Sequence, residues 1–144
     1  MPQYRESKIL PYSATQLFEL VCDVKAYPEF LPWCVAARIH SYSSGVMLAD
    51  LVIGFKVFRE TFTSKVESDR QGLWIKAKQA RGPFTHLENN WSFQDCHKGC
   101  AVDFSVDFAF KSNLLTATIE PLFFTAQRRL IEAFEARAAA LYSS

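Results

Sequence analysis

The sequence predicts an α+β domain in which a curved antiparallel sheet of about seven strands wraps around a long C-terminal helix. Three observations carry this reading. From about Glu120 to Tyr142, the residues Ile119, Phe123, Ala126, Leu130, Ala133, Phe134 and Leu141 recur at threes and fours, the spacing of one stripe on an α-helix. Between Val35 and Phe110, glycine-centred turn signals recur roughly ten to eighteen residues apart, the cadence of an antiparallel meander. They are Ser43-Ser44-Gly45, Gly54-Phe55, Gln71-Gly72, Arg81-Gly82-Pro83 and His97-Lys98-Gly99. From Cys100 to Phe110, Val102, Phe104, Val106, Phe108 and Phe110 alternate with Asp103, Ser105, Asp107 and Ala109, so one face of that strand is dry and the other wet. A dry sheet face and an apolar helix stripe each need a cover, and each supplies the other's.

Taken in order, Tyr4 to Leu10 is a weakly alternating strand ended by Pro11. Ser13 with Gln16 three residues later is a capping box that opens a short helix, with Leu17, Phe18, Val21 and Val24 on one face and an end near Asp23. The run Tyr27-Pro28-Glu29-Phe30-Leu31-Pro32-Trp33-Cys34 holds two prolines, which allow a constrained loop or a single helical turn and nothing longer. Its large apolar side chains must plug the end of a core or form a lid. In the strands that follow, parity points Phe58, Glu60, Phe62, Ser64 and Val66 inward, then Leu73, Ile75 and Ala77, then Leu87, Asn89, Trp91 and Phe93. Trp74 is left outside among Lys76 and Lys78. Gly54-Phe55 fits a two-residue turn with glycine first. Pro121 is tolerated only in a first helical turn, so the long helix starts at Thr118 to Glu120. Off its stripe, Gln127, Arg128, Glu132, Glu135 and Ala136 can face water.

The 144 residues fit one domain, 1–144, large enough to bury a core without metal or disulfide help. A net charge of +1 gives no field that would draw DNA. No run reaches the ~18 apolar residues of a membrane span, and Met1 to Lys8 lacks the features of a targeting peptide. The expectation is a cytoplasmic protein. Aromatic residues make up 15% of the chain and include 13 phenylalanines. Either the core is bulky, or a cavity has aromatic walls that hold a large apolar guest. Cys96 and Cys100 flank a turn at a spacing that suits two reduced thiols better than a metal, and no metal ligands are assigned. His40 and His86 have outward parity, His97 sits in a turn, and no nucleophile pairs with a base, so no catalytic residues are assigned. Glu60 and Asn89 break apolar faces. They either bond near strand ends or meet the polar head of a ligand.

Four blocks, in order, resemble a known family. They are Tyr27 to Cys34; Ile53-Gly54-Phe55-Lys56-Val57-Phe58-Arg59-Glu60; Gly82-Pro83-Phe84-Thr85-His86-Leu87-Glu88-Asn89 with Trp91; and Phe134-Glu135-Ala136-Arg137-Ala138. The likeness is to the coenzyme Q-binding proteins of the polyketide cyclase/START-like superfamily, whose bacterial members include a ribosome association toxin. It implies a helix-grip (START/Bet v 1-like) fold with a tunnel between helix and sheet. It implies non-catalytic binding or chaperoning of ubiquinone or another polyprenyl quinone in support of respiratory electron transport, with the quinone as ligand and no cofactor. On that reading Phe30, Leu31 and Trp33 form a lid over a hollow lined by Phe58, Glu60, Phe62, Asn89, Trp91, Phe93, Phe104, Phe108, Phe123, Leu130 and Phe134. Asn89 is a donor to a quinone carbonyl. Arg137 is either a second donor or a partner of Glu135 or Glu132. The turn from Gly54 to Arg59, apolar with flanking cations, would touch the inner membrane peripherally. The chain begins three residues before its first strand, without the presequence of eukaryotic members, and so looks bacterial. Two alternatives stay open. One is a factor for the large ribosomal subunit, working through Lys76, Lys78, Arg81 and Trp74; the other is a cyclase/dehydrase-type enzyme.

Overall fold

The computed structural model describes residues 3–55 and 58–142. Within them the chain runs β1 (Gln3–Leu10), α1 (Ala14–Cys22), a 3-10 turn (Val24–Glu29), β2 (Cys34–Ser43), β3 (Val46–Phe55), β4 (Phe58–Asp69), β5 (Trp74–Arg81), β6 (Phe84–Cys96), β7 (Gly99–Phe110), α2 (Asn113–Thr118), α3 (Glu120–Arg128) and α4 (Leu130–Tyr142). The strands form one seven-stranded sheet in the order β1-β7-β6-β5-β4-β3-β2, with antiparallel pairing throughout. This is the α+β helix-grip architecture expected from the sequence.

Local rules account for most of the elements. Ser13 Oγ accepts from the Gln16 amide at 3.1 Å and Gln16 Oε1 accepts from the Ser13 amide at 3.0 Å, so the capping box starts α1 as read. Asp95, at the end of β6, adds an acceptor for the Ala14 amide at 2.8 Å, which ties the N-terminus of α1 to the sheet. On β7, Val102, Phe104, Val106, Phe108 and Phe110 are all buried, as their alternation requires. The proline-rich run forms a 3-10 turn and a loop pinned at both ends: Leu31 N–H donates to the Tyr27 carbonyl at 2.9 Å, and Gly54 N–H donates to the Trp33 carbonyl at 2.9 Å. The turn between β5 and β6 folds tightly on the core at Gly82, where a Cβ would lie 2.4 Å from Phe62 Cβ.

Three expectations are corrected. The C-terminal helix is not one rod. Its helical path begins earlier, at Asn113, because the Ser112 hydroxyl caps the Leu114 and Leu115 amides at 3.1 and 3.2 Å. It is then interrupted at Ile119, just before Pro121 in the first turn of α3, where proline has no amide to give to a preceding turn. A second interruption falls at Arg129, whose amide bonds the Ala126 carbonyl at 3.2 Å in a tighter 3-10 pattern. Second, Gly54 and Phe55 pair with Arg59 and Phe58 inside the β3–β4 ladder, so the chain does not turn on them; Lys56 and Val57, the middle of the expected membrane-touching turn, lie outside the described residues. Third, the buried stripe runs through Ile119, Phe123, Gln127, Leu130, Ile131, Phe134 and Ala138, whereas Leu141 is 50% exposed. Gln127, expected to face water, is 3% exposed.

Candidate ligand cavity and its polar centre

Between the concave face of the sheet and the C-terminal helices lies a partly enclosed cavity of about 60 Å³. Its floor is where the sheet carries small or slender side chains. The register sets Ala77 between Val66 on β4 and Asn89 on β6, with Ser64 two residues along β4 from Val66. Phe123 and Gln127 of α3 and Leu130 and Phe134 of α4 form the roof, and Leu31 and Trp33 of the proline loop close one side. Aromatic clusters fill the interior on either side of the gap. Phe123 sits 4.7 Å from Phe108, 5.3 Å from Phe84 and 6.1 Å from Trp33 between ring centroids. Trp91 sits 4.5 Å from Phe104 and 5.2 Å from Phe134.

The aromatic excess therefore serves mainly as bulky core, and the hollow is what those rings leave. At roughly 10–15 Å³ per water-sized sphere there is room for about four to six, the bulk of one isoprene unit. Ordinary ligand pockets run to ~300–1,000 Å³. Where a tunnel for a polyprenyl tail was expected, the structure shows a small chamber. Outside it, a more open apolar groove of about 430 Å³ runs along Pro32, Phe55, Leu122, Ala126 and Arg129. Leu31, Trp33 and Leu130 line both spaces, so one layer of side chains separates them.

Of the residues assigned from the sequence, the structure brings Leu31, Trp33, Phe62, Asn89, Trp91, Phe123, Leu130 and Phe134 onto the cavity wall. Phe93, Phe104 and Phe108 are buried behind it, Phe93 against Phe18 of α1 at 6.2 Å and the other two under Trp91 and Phe123. Phe30 also sits behind the wall, edge-on to Phe134 at 5.1 Å. Glu60 is exposed and Phe58 half-buried, although both have inward parity. The reason is that β5 pairs with β4 only from Thr63 onward, so the start of β4 projects with β3 as a ribbon beyond the rest of the sheet. On the β4 side of this ribbon Glu60 stays exposed, although its partner Ile53 on β3 is fully buried.

Arg137 is not a cavity donor either, and it pairs with neither Glu132 nor Glu135. Its Nη2 lies 3.0 Å from Glu29 Oε1, its guanidinium covers the Phe30 ring at 5.1 Å, and its buried Nε has no partner among the described residues. Glu135 instead binds Lys8 Nζ at 2.9 Å. Arg137 thus clamps α4 to the turn that carries Tyr27 and Phe30. Tyr27 lines the cavity, stands edge-on to Phe134 at 5.5 Å and donates its hydroxyl to the Val21 carbonyl; burial pushes that phenol well above its usual pKa.

Sequence reasoning missed Gln127 as a site residue, although its place one helical turn after Phe123 and three residues before Leu130 puts it on the stripe. It also missed Tyr27 and Val24 on the wall. The uncharged polar groups at the chamber are Ser64, Asn89 and Gln127, and the side-chain hydrogen bonds formed among the described residues involve none of them. Histidines stand apart from it: His40 Nε2 lies 2.7 Å from Asp50, and His86 Nε2 lies 2.9 Å from Asp107. On the convex face Lys78 pairs with Glu88 at 3.6 Å and Lys76 stands in register with Glu67, so the cations near Trp74 alternate with carboxylates. Cys96 is exposed and Cys100 buried, and both are free thiols.

A family model described as polyketide cyclase / dehydrase and lipid transport matches residues 10–135. Among named relatives, the ribosome association toxin of Rickettsia prowazekii is 38% identical over 141 residues, covering 96% of this chain and 97% of the relative. A mitochondrial coenzyme Q-binding protein homologue of Xenopus laevis is 33% identical over 150 residues, covering 97% of this chain and 59% of the relative. In three dimensions, a START superfamily protein of Mycobacterium smegmatis superposes with a TM-score of 0.80 at 19% identity, over 96% of this chain and 98% of that one, a likeness of fold.

Proposed function

The chain belongs to the polyketide cyclase / dehydrase and lipid transport family, and on that premise we propose that it binds and chaperones a neutral apolar ligand of the polyprenyl quinone type, ubiquinone foremost, without transforming it. The observation that carries this reading is the pair of apolar spaces, chamber and groove, divided only by Leu31, Trp33 and Leu130. Displacing those side chains joins the two into a slot long enough for a ring and the start of a tail. Each Å² of apolar surface so removed from water is worth roughly 25 cal/mol. Relatives named for coenzyme Q binding support the choice of ligand. Acid–base chemistry would need a proton carrier within hydrogen-bond reach of the bound molecule; the wall of the chamber offers amides, a serine, a tyrosine whose proton is held by burial, and Lys78, whose ammonium is turned to Glu88 on the convex face.

A quinone is drawn from a membrane. Among the described residues no helix is long and apolar enough to cross one. The groove, with Phe55 and the 39% exposed Leu122 beside Arg129, is the side we assign to the bilayer surface. The test is solvent extraction and mass analysis of the protein purified from cells, with titration of decylubiquinone followed by Trp91 fluorescence. Saturable quenching and a co-purifying quinone are expected. Absence of saturable binding overturns the reading.

A second reading rests on the ribosome association toxin relative, 97% of whose length this chain covers. It predicts co-sedimentation with the large ribosomal subunit at moderate salt, lost in Lys76→Glu/Lys78→Glu. Protein that stays in the supernatant removes it.

A further inference from the structure

We infer that Ser64, Asn89 and Gln127 form a charge-free recognition site at the centre of the chamber, selecting a ligand whose head is an uncharged carbonyl or hydroxyl and rejecting carboxylates and phosphates on an equal apolar body. The inference rests on the reading of the chamber as a ligand site and goes on to say which chemistry the site reads. The three side chains come from β4, β6 and α3, so no local motif explains their meeting. Ser64 is 5% exposed and Gln127 3%, and the side-chain hydrogen bonds among the described residues involve neither, so their polar atoms are open to a guest in the chamber. Gln127 occupies a stripe position between Phe123 and Leu130 where an apolar residue would complete the packing.

Charge is absent from the same space. Lys78 borders the chamber, but its Nζ lies 3.6 Å from Glu88 on the convex face. Arg137 is held by Glu29 and Phe30 outside the wall. An anionic head would therefore enter a low-dielectric space with no counter-charge, whereas a carbonyl can accept from two amide N–H groups and a hydroxyl can also donate to their oxygens. A site with polar groups of its own also discriminates against a guest with no polar head, because those groups are then left unpaired.

The test compares three probes that each carry a decyl tail on a six-membered ring: decylubiquinone, 4-decylbenzoate and decylbenzene. Binding is measured by calorimetry on the wild type, Gln127→Leu, Asn89→Leu and the conservative Gln127→Asn, each checked for folding by circular dichroism. In the wild type decylubiquinone should bind at least about tenfold more tightly than either other probe. Gln127→Leu and Asn89→Leu should each weaken decylubiquinone about tenfold and leave decylbenzene unchanged or tighter, and Gln127→Asn should keep most of the preference. 4-Decylbenzoate binding as tightly as decylubiquinone, or a preference that survives in both leucine variants, overturns the inference while leaving the chamber a ligand site. Failure of all three probes to bind the wild type overturns the ligand reading itself, and the inference with it.

Discussion

On β5, Ile75 and Ala77 look into the chamber while Trp74, Lys76 and Lys78 look out over the convex face; on β6, Leu87, Asn89 and Trp91 face in while Glu88, Asn90 and Ser92 face out. Both faces belong to the same strands and share one backbone ladder. The inner face is apolar with three uncharged polar groups, and its polar atoms have few alternatives to a guest. The outer face carries polar and charged groups that meet one another, as in Lys78 with Glu88, His86 with Asp107 and Asp50 with Thr63 and His40. Such pairs are satisfied by neighbours and water and contribute little each. What the contrast teaches is where the proposed recognition would have to reside: inside, where polar side chains lack a protein partner, since among the described residues the outer cations of β5 alternate with carboxylates and form no unbroken positive field.

The largest effect expected from breaking this contrast is at Phe123, the hub of one aromatic cluster. Phe123→Ala should cost about 3–5 kcal/mol in urea unfolding, because neighbours on β6 and β7 cannot close the space. A loss below ~1 kcal/mol would mean that the cluster is loosely packed. Next is Ser64→Leu, which puts an apolar side chain into the 60 Å³ gap. It should leave the far-UV spectrum unchanged and abolish decylubiquinone quenching of Trp91; quenching that persists would place the ligand elsewhere.

Arg137→Met removes the clamp on the proline loop. Its ion pair and its cover over Phe30 together should be worth about 1 kcal/mol, and the same change should speed quinone exchange in stopped flow. Unchanged exchange would show that the loop does not control access. The smallest effect belongs to the outer face. The Thr63 hydroxyl, at 2.6 Å, and His40, at 2.7 Å, hold the Asp50 carboxyl below its usual pKa. A folded value below the unfolded one means that the stabilisation is complete above ~3.9 and is lost as pH falls through the folded value. Asp50→Asn should therefore lower Tm slightly at pH 7, with the gap to wild type closing in acid; a gap independent of pH would assign the loss to packing.

Much of this architecture was legible in the chain. The capping box at Ser13, the alternation on β7 and the inward parity of Asn89 and Trp91 were local patterns that the structure keeps, because each depends on residues within a few positions of one another. Where reading by parity failed, the cause was reach. Glu60 has the parity of Phe62, yet whether an inward side chain is covered depends on how far β5 extends alongside β4, a matter of pairing between distant segments. Gln127 was misjudged for a related reason. Its polarity argued for solvent and its spacing for the stripe, and spacing prevailed because the sheet below it offers a gap lined by other polar groups. Arg137 chose Glu29, 108 residues away in sequence, over Glu132 and Glu135 on its own helix.

By itself the sequence determined the element types and the dry and wet sides of most strands, since these follow from periodicities of two and of three to four; the helix-grip fold was implied by the resemblance of four separated blocks. Only the tertiary structure decided the size of the hollow, the layer of Leu31, Trp33 and Leu130 that closes it, and the meeting of Ser64, Asn89 and Gln127. Volume and convergence are sums over side chains from many strands and helices, and a gap of 60 Å³ is the small remainder after large rings have been packed. No single stretch of chain carries that difference.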